Sequence, residues 1–314
     1  MLLSNGLEIS DNAEYQIGKE ILVGPNVKIN SKKIIIEDYV KLDGNLTITS
    51  PDLVYIGRCS WFANDIKITC RSLKIGEYAV VLDRVEIGRG GCTGPNSVVE
   101  IGSGVMLCED VVINPSEKVV IGDQVGIGAG VGIWTHGSYL QLLEGFPAQF
   151  EPVTIGNNVW LTGKSTVLPG VTIGDNVVIG MMSLVNKDIP SGSLAGGVPC
   201  KVIRENLYPK ELSVEEQRSL MEGLVQEWLD ILEYKGIDIN SIEITITDDF
   251  IRVEDFKKLQ HTAWVYYKRR SITGRGEASD LVEDLRDFLR RKGIKIYTGL
   301  PFKSITPRTF DETV

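Results

Sequence analysis

The chain carries only two histidines, His136 and His261. Imidazole titrates near neutral pH, so it can take a proton from a hydroxyl or an amine without a large change in its own properties. His136 is the candidate base. It stands in Trp134-Thr135-His136-Gly137, at the mouth of a long break in an otherwise regular pattern. The plainer alternative is a surface histidine that precedes a loop. His261, between Gln260 and Thr262, lies outside the pattern and reads as structural. A catalytic zinc of the three-histidine type needs three imidazoles around an open position, and only one falls within the repeats, so no metal is expected.

The pattern that must position His136 has a period of six. Ile155, Leu161, Val167, Ile173, Ile179 and Val185 are spaced six apart. Six fits neither an amphipathic helix nor one long strand. It fits a chain that turns a corner every six residues and closes a triangular coil every eighteen, a solenoid. The step recurs in Ile17, Val23, Ile29; Ile36, Leu42, Ile48; Ile75, Val81, Ile87; Ile101, Leu107, Ile113; and Ile121, Ile127, Ile133. Each face is a strand too short to be stable alone, so its aliphatic residue must stack on the counterpart one coil up, about 4.8 Å away. Corners need positive φ or side-chain turn chemistry, for which Asp123, Asn157-Asn158 and Asp175-Asn176 are suited.

Two coils are longer than the rest. One holds an insertion around Gly88-Arg89-Gly90-Gly91-Cys92-Thr93-Gly94. The other holds a loop over 137–152. Long loops on a regular scaffold tend to sit on its functional face. The pattern is expected to stop near Asp188, and the solenoid domain to span 1–205. A helical connector follows over 206–236, with a Ser213/Glu216 capping box and Leu220, Leu224, Trp228 and Leu232 at four-residue spacing. Residues 237–314 read as a small α+β domain. Its expected strands are Ile242–Ile246, Trp264–Tyr267 and Ile294–Tyr297, and its helix runs from Asp280 to Arg291 with an Asp280/Glu283 capping box.

A net charge of -9 argues against general affinity for nucleic acid or anionic membrane. No apolar run approaches the ~20 residues of a membrane span. Met1-Leu2-Leu3-Ser4-Asn5 is not expected to begin a secretory signal. Cys59, Cys70, Cys92, Cys108 and Cys200 form no C-x-x-C pair and read as reduced thiols of a cytoplasmic protein.

Residues 121–205 resemble the hexapeptide-repeat acyltransferases with a left-handed parallel β-helix, above all the galactoside and maltose sugar O-acetyltransferases. The resemblance rests on Ile121-Gly122-Asp123-Gln124-Val125, Thr135-His136, Pro152-Val153-Thr154-Ile155-Gly156-Asn157-Asn158-Val159-Trp160, Leu168-Pro169-Gly170-Val171-Thr172-Ile173-Gly174-Asp175-Asn176, Val185-Asn186-Lys187-Asp188-Ile189-Pro190 and Gly197-Val198-Pro199-Cys200-Lys201-Val202-Ile203-Arg204. It implies an all-β solenoid, acetyl-CoA as acyl donor, a homotrimer and His136 as general base in direct transfer without a covalent intermediate. It places Trp160, Thr162, Gly163 and Met181 along the pantetheine arm, with Met181 where the family usually has a small residue. It sets Asn186, Lys187, Lys201 and Arg204 at the phosphates, for which Lys offers a point charge and Arg a bidentate fork.

A sugar or saccharide acceptor would meet Asn114, Glu117, Trp134 and Tyr139. Ser116 lies beside them. Glu117 is suited to orient the imidazole or bind a hydroxyl. Trp134 and Tyr139 could stack on a sugar ring or pack the loop base, and Phe146 and Phe150 could pin the loop to a neighbouring subunit. O-acetylation, as in polysaccharide biosynthesis, is the preferred reading. N-acetylation of an amino sugar could use the same base. A non-catalytic trimeric scaffold is the reading from another class, and it leaves His136, Trp160 and the basic tail unexplained together.

Overall fold

The computed structural model describes every residue except 2, 4, 5, 91, 93, 257–260, 276–278 and 308–314, and gives no account of the His261 side chain. Leu2, Ser4 and Asn5 near the start, and Gly91 and Thr93 of the insertion, therefore lie outside the described residues. The chain divides into two compact units, Met1–Lys210 and Glu211–Val314.

The first unit is a parallel β-solenoid of about nine turns. Three sheets of nine, eight and ten strands form its faces, and successive strands of the chain visit the three in rotation. In one turn, Val153–Ile155 lies in the second sheet, Trp160–Leu161 in the third and Thr166–Val167 in the first. Register stacks the six-spaced residues directly: Ile121 pairs with Ile155 and Ile155 with Ile173, while Ile127 pairs with Leu161 and Leu161 with Ile179. These side chains fill the prism and are essentially inaccessible to water. Each contributes about 1.5–3 kcal/mol by burial, which offsets the cost of ordering strands that are only two to four residues long. The stack runs past Asp188, where the pattern was expected to end. Ile189 bridges to Ile173, and Leu194 and Ala195 pair with Val178 and Ile179.

The aliphatic-glycine pairs have a steric cause. A Cβ on Gly57 would stand 2.5 Å from the carbonyl carbon of Gly76, and one on Gly122 would stand 2.8 Å from that of Gly156. Backbones of adjacent coils touch here, and only glycine leaves room. The neighbouring corner residues divide two tasks. Gln124, Asn158 and Asn176 take positive φ, at 60°, 55° and 59°. Asp123, Asn157 and Asp175, one position earlier, instead accept from backbone amides of the coil before: Ser103 N at 2.7 Å, Asp123 N at 2.8 Å and Asn157 N at 2.6 Å. The result is a ladder of side-chain hydrogen bonds up one edge of the prism.

The second unit holds a four-stranded antiparallel meander and two helices. Its strands are Ile242–Ile246, Ile251–Asp255, His261–Tyr266 and Ser271–Gly274. The helix Val214–Tyr234, expected within a connector, buries Met221, Val225, Trp228 and Leu232 in this unit's own core. That stripe follows the 3.6-residue period, whereas strict four-residue spacing drifts off it and leaves Leu220 exposed. Its capping box, Ser213 with Glu216, is present. The second helix, Asp280–Arg291, is capped by Ser279, whose hydroxyl accepts from Val282, rather than by Asp280. Residues 294–297 form no strand. Ile296 is buried there, and its carbonyl is taken by Arg286. Among the described residues no helix is long and apolar enough to cross a membrane.

Candidate active site

Three successive coils leave the first sheet for the second by different routes along one edge of the prism. After Glu86–Ile87 the chain makes the insertion 88–97. After Val112–Asn114 it makes the short corner 115–118. After Gly132–Trp134 it makes the loop 135–152. Sequence alone locates both long interruptions; their stacking on either side of one short corner is a product of the fold.

That corner carries Asn114. Ile113 points inward, so Asn114 faces outward by strand alternation, yet it is only 1% exposed. The coils on either side cover it. Its Nδ2 donates to the carbonyl of Gly90 at 3.4 Å, and the Cys92 Sγ lies 3.7 Å from its Oδ1. The same Oδ1 accepts from the Ser116 amide at 3.3 Å and the Ser116 hydroxyl at 3.0 Å. Burial pushes the Cys92 thiol above its ordinary range, despite a hydrogen bond with Ser116 that acts the other way, so it stays a protonated S–H donor.

His136 completes the cluster. Its Nδ1 lies 3.0 Å from Asn114 Oδ1 and 3.0 Å from Ser116 Oγ. The amide carbonyl can only accept, and the Asn114 amide nitrogen is already engaged with Gly90, so this network assigns the proton to Nδ1. The lone pair is thereby left on Nε2, the nitrogen on the far side of the ring. The backbone is held as well. Thr135 Oγ1 donates to the Asn114 carbonyl at 2.8 Å and accepts from the Glu117 amide at 2.9 Å. His136–Gly137 pairs antiparallel with Gln149–Phe150, closing the base of the loop, and the Phe150 ring stacks on the imidazole.

Other expected acceptor residues are placed differently from one another. The Trp134 indole folds back over its own strand, its Nε1 standing 2.8 Å from where a Gly132 Cβ would be. Gly132 makes room for it. Tyr139 is 97% exposed and does not pack the loop base. Glu117 offers its amide to Thr135, and the imidazole takes Asn114 and Ser116 as partners on Nδ1 in its place. Phe150, expected to pin the loop to a neighbouring subunit, stacks on His136 of its own chain and is half exposed. Its pairing with His136 left no sequence signal, because the register of a loop hairpin is set by folding.

The residues expected along the pantetheine arm lie at the opposite edge of the first sheet, where the third sheet turns into it. Trp160 projects outward from the third sheet and is 57% exposed. The Thr162 hydroxyl is spent on the Ile179 carbonyl at 2.7 Å. The coils touch here: a Cβ on Gly128 would stand 2.6 Å from the Gly163 nitrogen, so it is Gly128 that close approach forces, while a Cβ on Gly163 itself would stand 3.3 Å from the Ala129 carbonyl oxygen. The Gly163 amide donates to no backbone carbonyl among the described residues. The Met181 methyl lies 3.8 Å from where a Gly163 Cβ would be, so Met181 narrows the surface there. Asn186 and Lys187 are exposed after Leu184–Val185. Lys201 and Arg204 are exposed on the strand that pairs antiparallel with Leu194–Gly196 at the end of the stack. Among the described residues Lys187, Lys201 and Arg204 enter no ion pair, and no three His, Cys, Asp or Glu side chains cluster as a metal site. One prism therefore assembles Asn114, Ser116, His136 and Phe150, but holds Gly163 and Met181 at its other edge.

Comparison with known proteins agrees with this architecture. The family described as bacterial transferase hexapeptide (six repeats) matches residues 152–187. Galactoside O-acetyltransferase of Escherichia coli K12 is 40% identical over 149 residues, covering 45% of this chain and 70% of that protein. A solved galactoside acetyltransferase in complex with coenzyme A is 31% identical, with 50% of this chain and 70% of that chain covered and a TM-score of 0.32. UDP-N-acetylglucosamine O-acyltransferase of Moraxella catarrhalis is 19% identical over 74% of this chain and 91% of that one, with a TM-score of 0.47. The identity to galactoside O-acetyltransferase, over 70% of that protein, shows the family. The chain belongs to the hexapeptide-repeat acetyltransferases, and it is an acetyltransferase.

Proposed function

We propose that the protein transfers the acetyl group of acetyl-CoA to a hydroxyl of a sugar or saccharide, with Nε2 of His136 as general base. The observation that carries this reading is the pair of partners on Nδ1, Asn114 and Ser116, which commits the ring to one tautomer and leaves Nε2 with its lone pair. Bound acetyl-CoA supplies the activated acyl carbon as a thioester. Nε2 takes the proton of the acceptor hydroxyl as its oxygen attacks, and returns it to the departing sulfur; no covalent enzyme intermediate is needed. The Gly163 amide, with no backbone acceptor of its own, is suited to meet the negative charge that develops on the carbonyl oxygen. Trp160, Thr162 and Met181 line the approach of the pantetheine arm. Asn186, Lys187, Lys201 and Arg204, exposed and clear of ion pairs among the described residues, are suited to its phosphates. Glu117, Trp134 and Tyr139 face the acceptor.

The base and the Gly163 amide lie at opposite edges of one face, so a site that holds both is made between two prisms. This supports a homotrimer in which each cleft draws on two chains. The loop 137–152 exposes Leu142, Leu143 and Phe146 as well as Tyr139, apolar surface of the kind that a neighbouring subunit covers. All five cysteines are free thiols, which suits the cytoplasm; a saccharide acceptor would suit a place in polysaccharide biosynthesis. The test is thiol release from acetyl-CoA across a panel of sugar hydroxyl and amino-sugar acceptors. His136→Ala is expected to lower turnover by about 10²–10⁴ and to retain binding of coenzyme A. Undiminished turnover in the variant would remove the base, and release with amines alone would move the reaction to N-acetylation.

A further inference from the structure

The geometry points to Asn114 as the residue that positions His136, and to Gly90 and Cys92 of the preceding coil as the groups that hold Asn114 in place. The inference rests on the reading of His136 as base. Asn114 was expected to meet the acceptor. Instead it is 1% exposed and both atoms of its amide are engaged inside the protein, so it presents almost no surface to a substrate. What it offers the imidazole is specific. An amide can turn either end toward a ring nitrogen, and a carbonyl oxygen and an NH₂ group would select opposite tautomers. The Gly90 carbonyl decides between them. It accepts from Nδ2, and so leaves Oδ1 facing Nδ1.

Gly90 is available because the chain leaves the first sheet early. Gly88 has φ +136°, a conformation open to glycine, and its amide donates to the Ile113 carbonyl, one residue before Asn114. Gly90 and Cys92 then lie against Asn114. The Cys92 carbonyl accepts from the buried Ser97 hydroxyl at 2.9 Å, which fixes the turn that carries Gly90 and Cys92. The second long coil thus has a role: it sets the amide that sets the ring. The partner of the imidazole is uncharged. The titratable and charged groups on the elements around the ring are Arg89 and Cys92, Glu117 and Lys118, and Tyr139, Glu144 and Glu151. Arg89 pairs with Glu86 and Lys118 with Glu100, and Tyr139 and Glu144 are exposed. Cys92 reaches Asn114, Glu117 uses its amide on Thr135, and the Glu151 carboxylate lies against Gly170. None of these supplies a carboxylate hydrogen bond to Nδ1.

Two measurements test this. With only two histidines in the chain, ¹⁵N-histidine NMR of the intact protein resolves the neutral tautomer of His136, assigned with His261→Gln. The proton is expected on Nδ1; a proton on Nε2 overturns the proposal without any site variant having to fold. In kinetics, Asn114→Leu is expected to lower kcat by about 10- to 100-fold, part of what a positioned base contributes, with KM for acetyl-CoA held. Asn114→Asp places a carboxylate on Nδ1 and favours the imidazolium, so the acid limb of kcat/KM should move to higher pH by about one unit. A merely structural asparagine would not move that limb. Unchanged kcat in Asn114→Leu together with an unmoved limb in Asn114→Asp overturns the positioning role. If His136→Ala is inert in the same assay, the base reading stands even then; if His136→Ala is fully active, it is the base reading that has failed.

Discussion

The imidazole of His136 lies against the ring of Phe150, with centroids 5.5 Å apart and planes 16° apart. The two residues are directly paired across the short ladder that closes the loop. The ring is thus held in its plane by Asn114 and Ser116, and on one face by Phe150. Stacking of this kind is worth about 0.5–1.5 kcal/mol beyond area burial, enough to restrict the ring but not to hold the fold.

Phe150→Ala should therefore lower kcat by about tenfold, the equivalent of 1.4 kcal/mol of lost positioning, and leave thermal stability nearly unchanged because Phe150 is half exposed. Phe150→Leu, which keeps apolar cover without the flat face, should fall between the two. Steady-state rates at saturating acetyl-CoA, alongside a melting curve, decide the matter. Wild-type kcat in Phe150→Ala would mean that the stack plays no part in holding the base.

The glycine column makes a separate prediction about stability. Gly57→Ala puts a methyl 2.5 Å from the Gly76 carbonyl carbon and 2.6 Å from the Glu77 nitrogen. Both are backbone atoms of the next coil, so no side chain can swing away. The coils must part locally, at a cost of about 1–3 kcal/mol. Chemical denaturation of the variant should show that loss. A variant as stable as the parent would show that adjacent coils can spread at this edge.

The second unit should be acid-sensitive through Asp287. Burial alone would raise its carboxyl, but hydrogen bonds from Ser304 and Arg290 and the charges of Arg290 and Arg291 outweigh it, and the net effect is below the ordinary 3.8. A folded value below the unfolded one means that the unfolded chain binds protons first. The stabilisation is fully present above the unfolded value and is lost as pH falls through the folded one. Urea unfolding followed by the fluorescence of Trp228, buried in this unit, at about pH 6 and about pH 3 should show a smaller acid loss in Asp287→Asn than in the parent. Equal losses would assign the acid sensitivity to other groups.

Much of the solenoid is written in local pattern. A six-residue repeat of aliphatic side chains has one economical packing, so the positions of Ile121, Ile155 and Ile173 in the prism could be read before any coordinates. The Ser213/Glu216 box could be read for the same reason, since both partners lie within one turn. Pattern failed where a neighbour distant in sequence decides. Ile294–Tyr297 has strand-like composition, yet no edge of the meander takes it up, and Arg286 claims the Ile296 carbonyl. The helix Val214–Tyr234 reads as a connector until its Trp228 is seen to donate to Asp284, 56 residues away.

The candidate site divides along the same line. The candidate for the base could be named from sequence, because a single histidine stands at the main break in the repeat. Its tautomer did not. That depends on which end of the Asn114 amide faces the ring, which depends on a carbonyl at Gly90 two coils earlier in the chain. Periodicity determines what stacks inside the prism, since burial of aliphatic surface is local and repeats with the coil. Only the tertiary structure could decide what meets on its outer edge, because hydrogen bonds between separate loops depend on distances and angles that no spacing in the chain encodes.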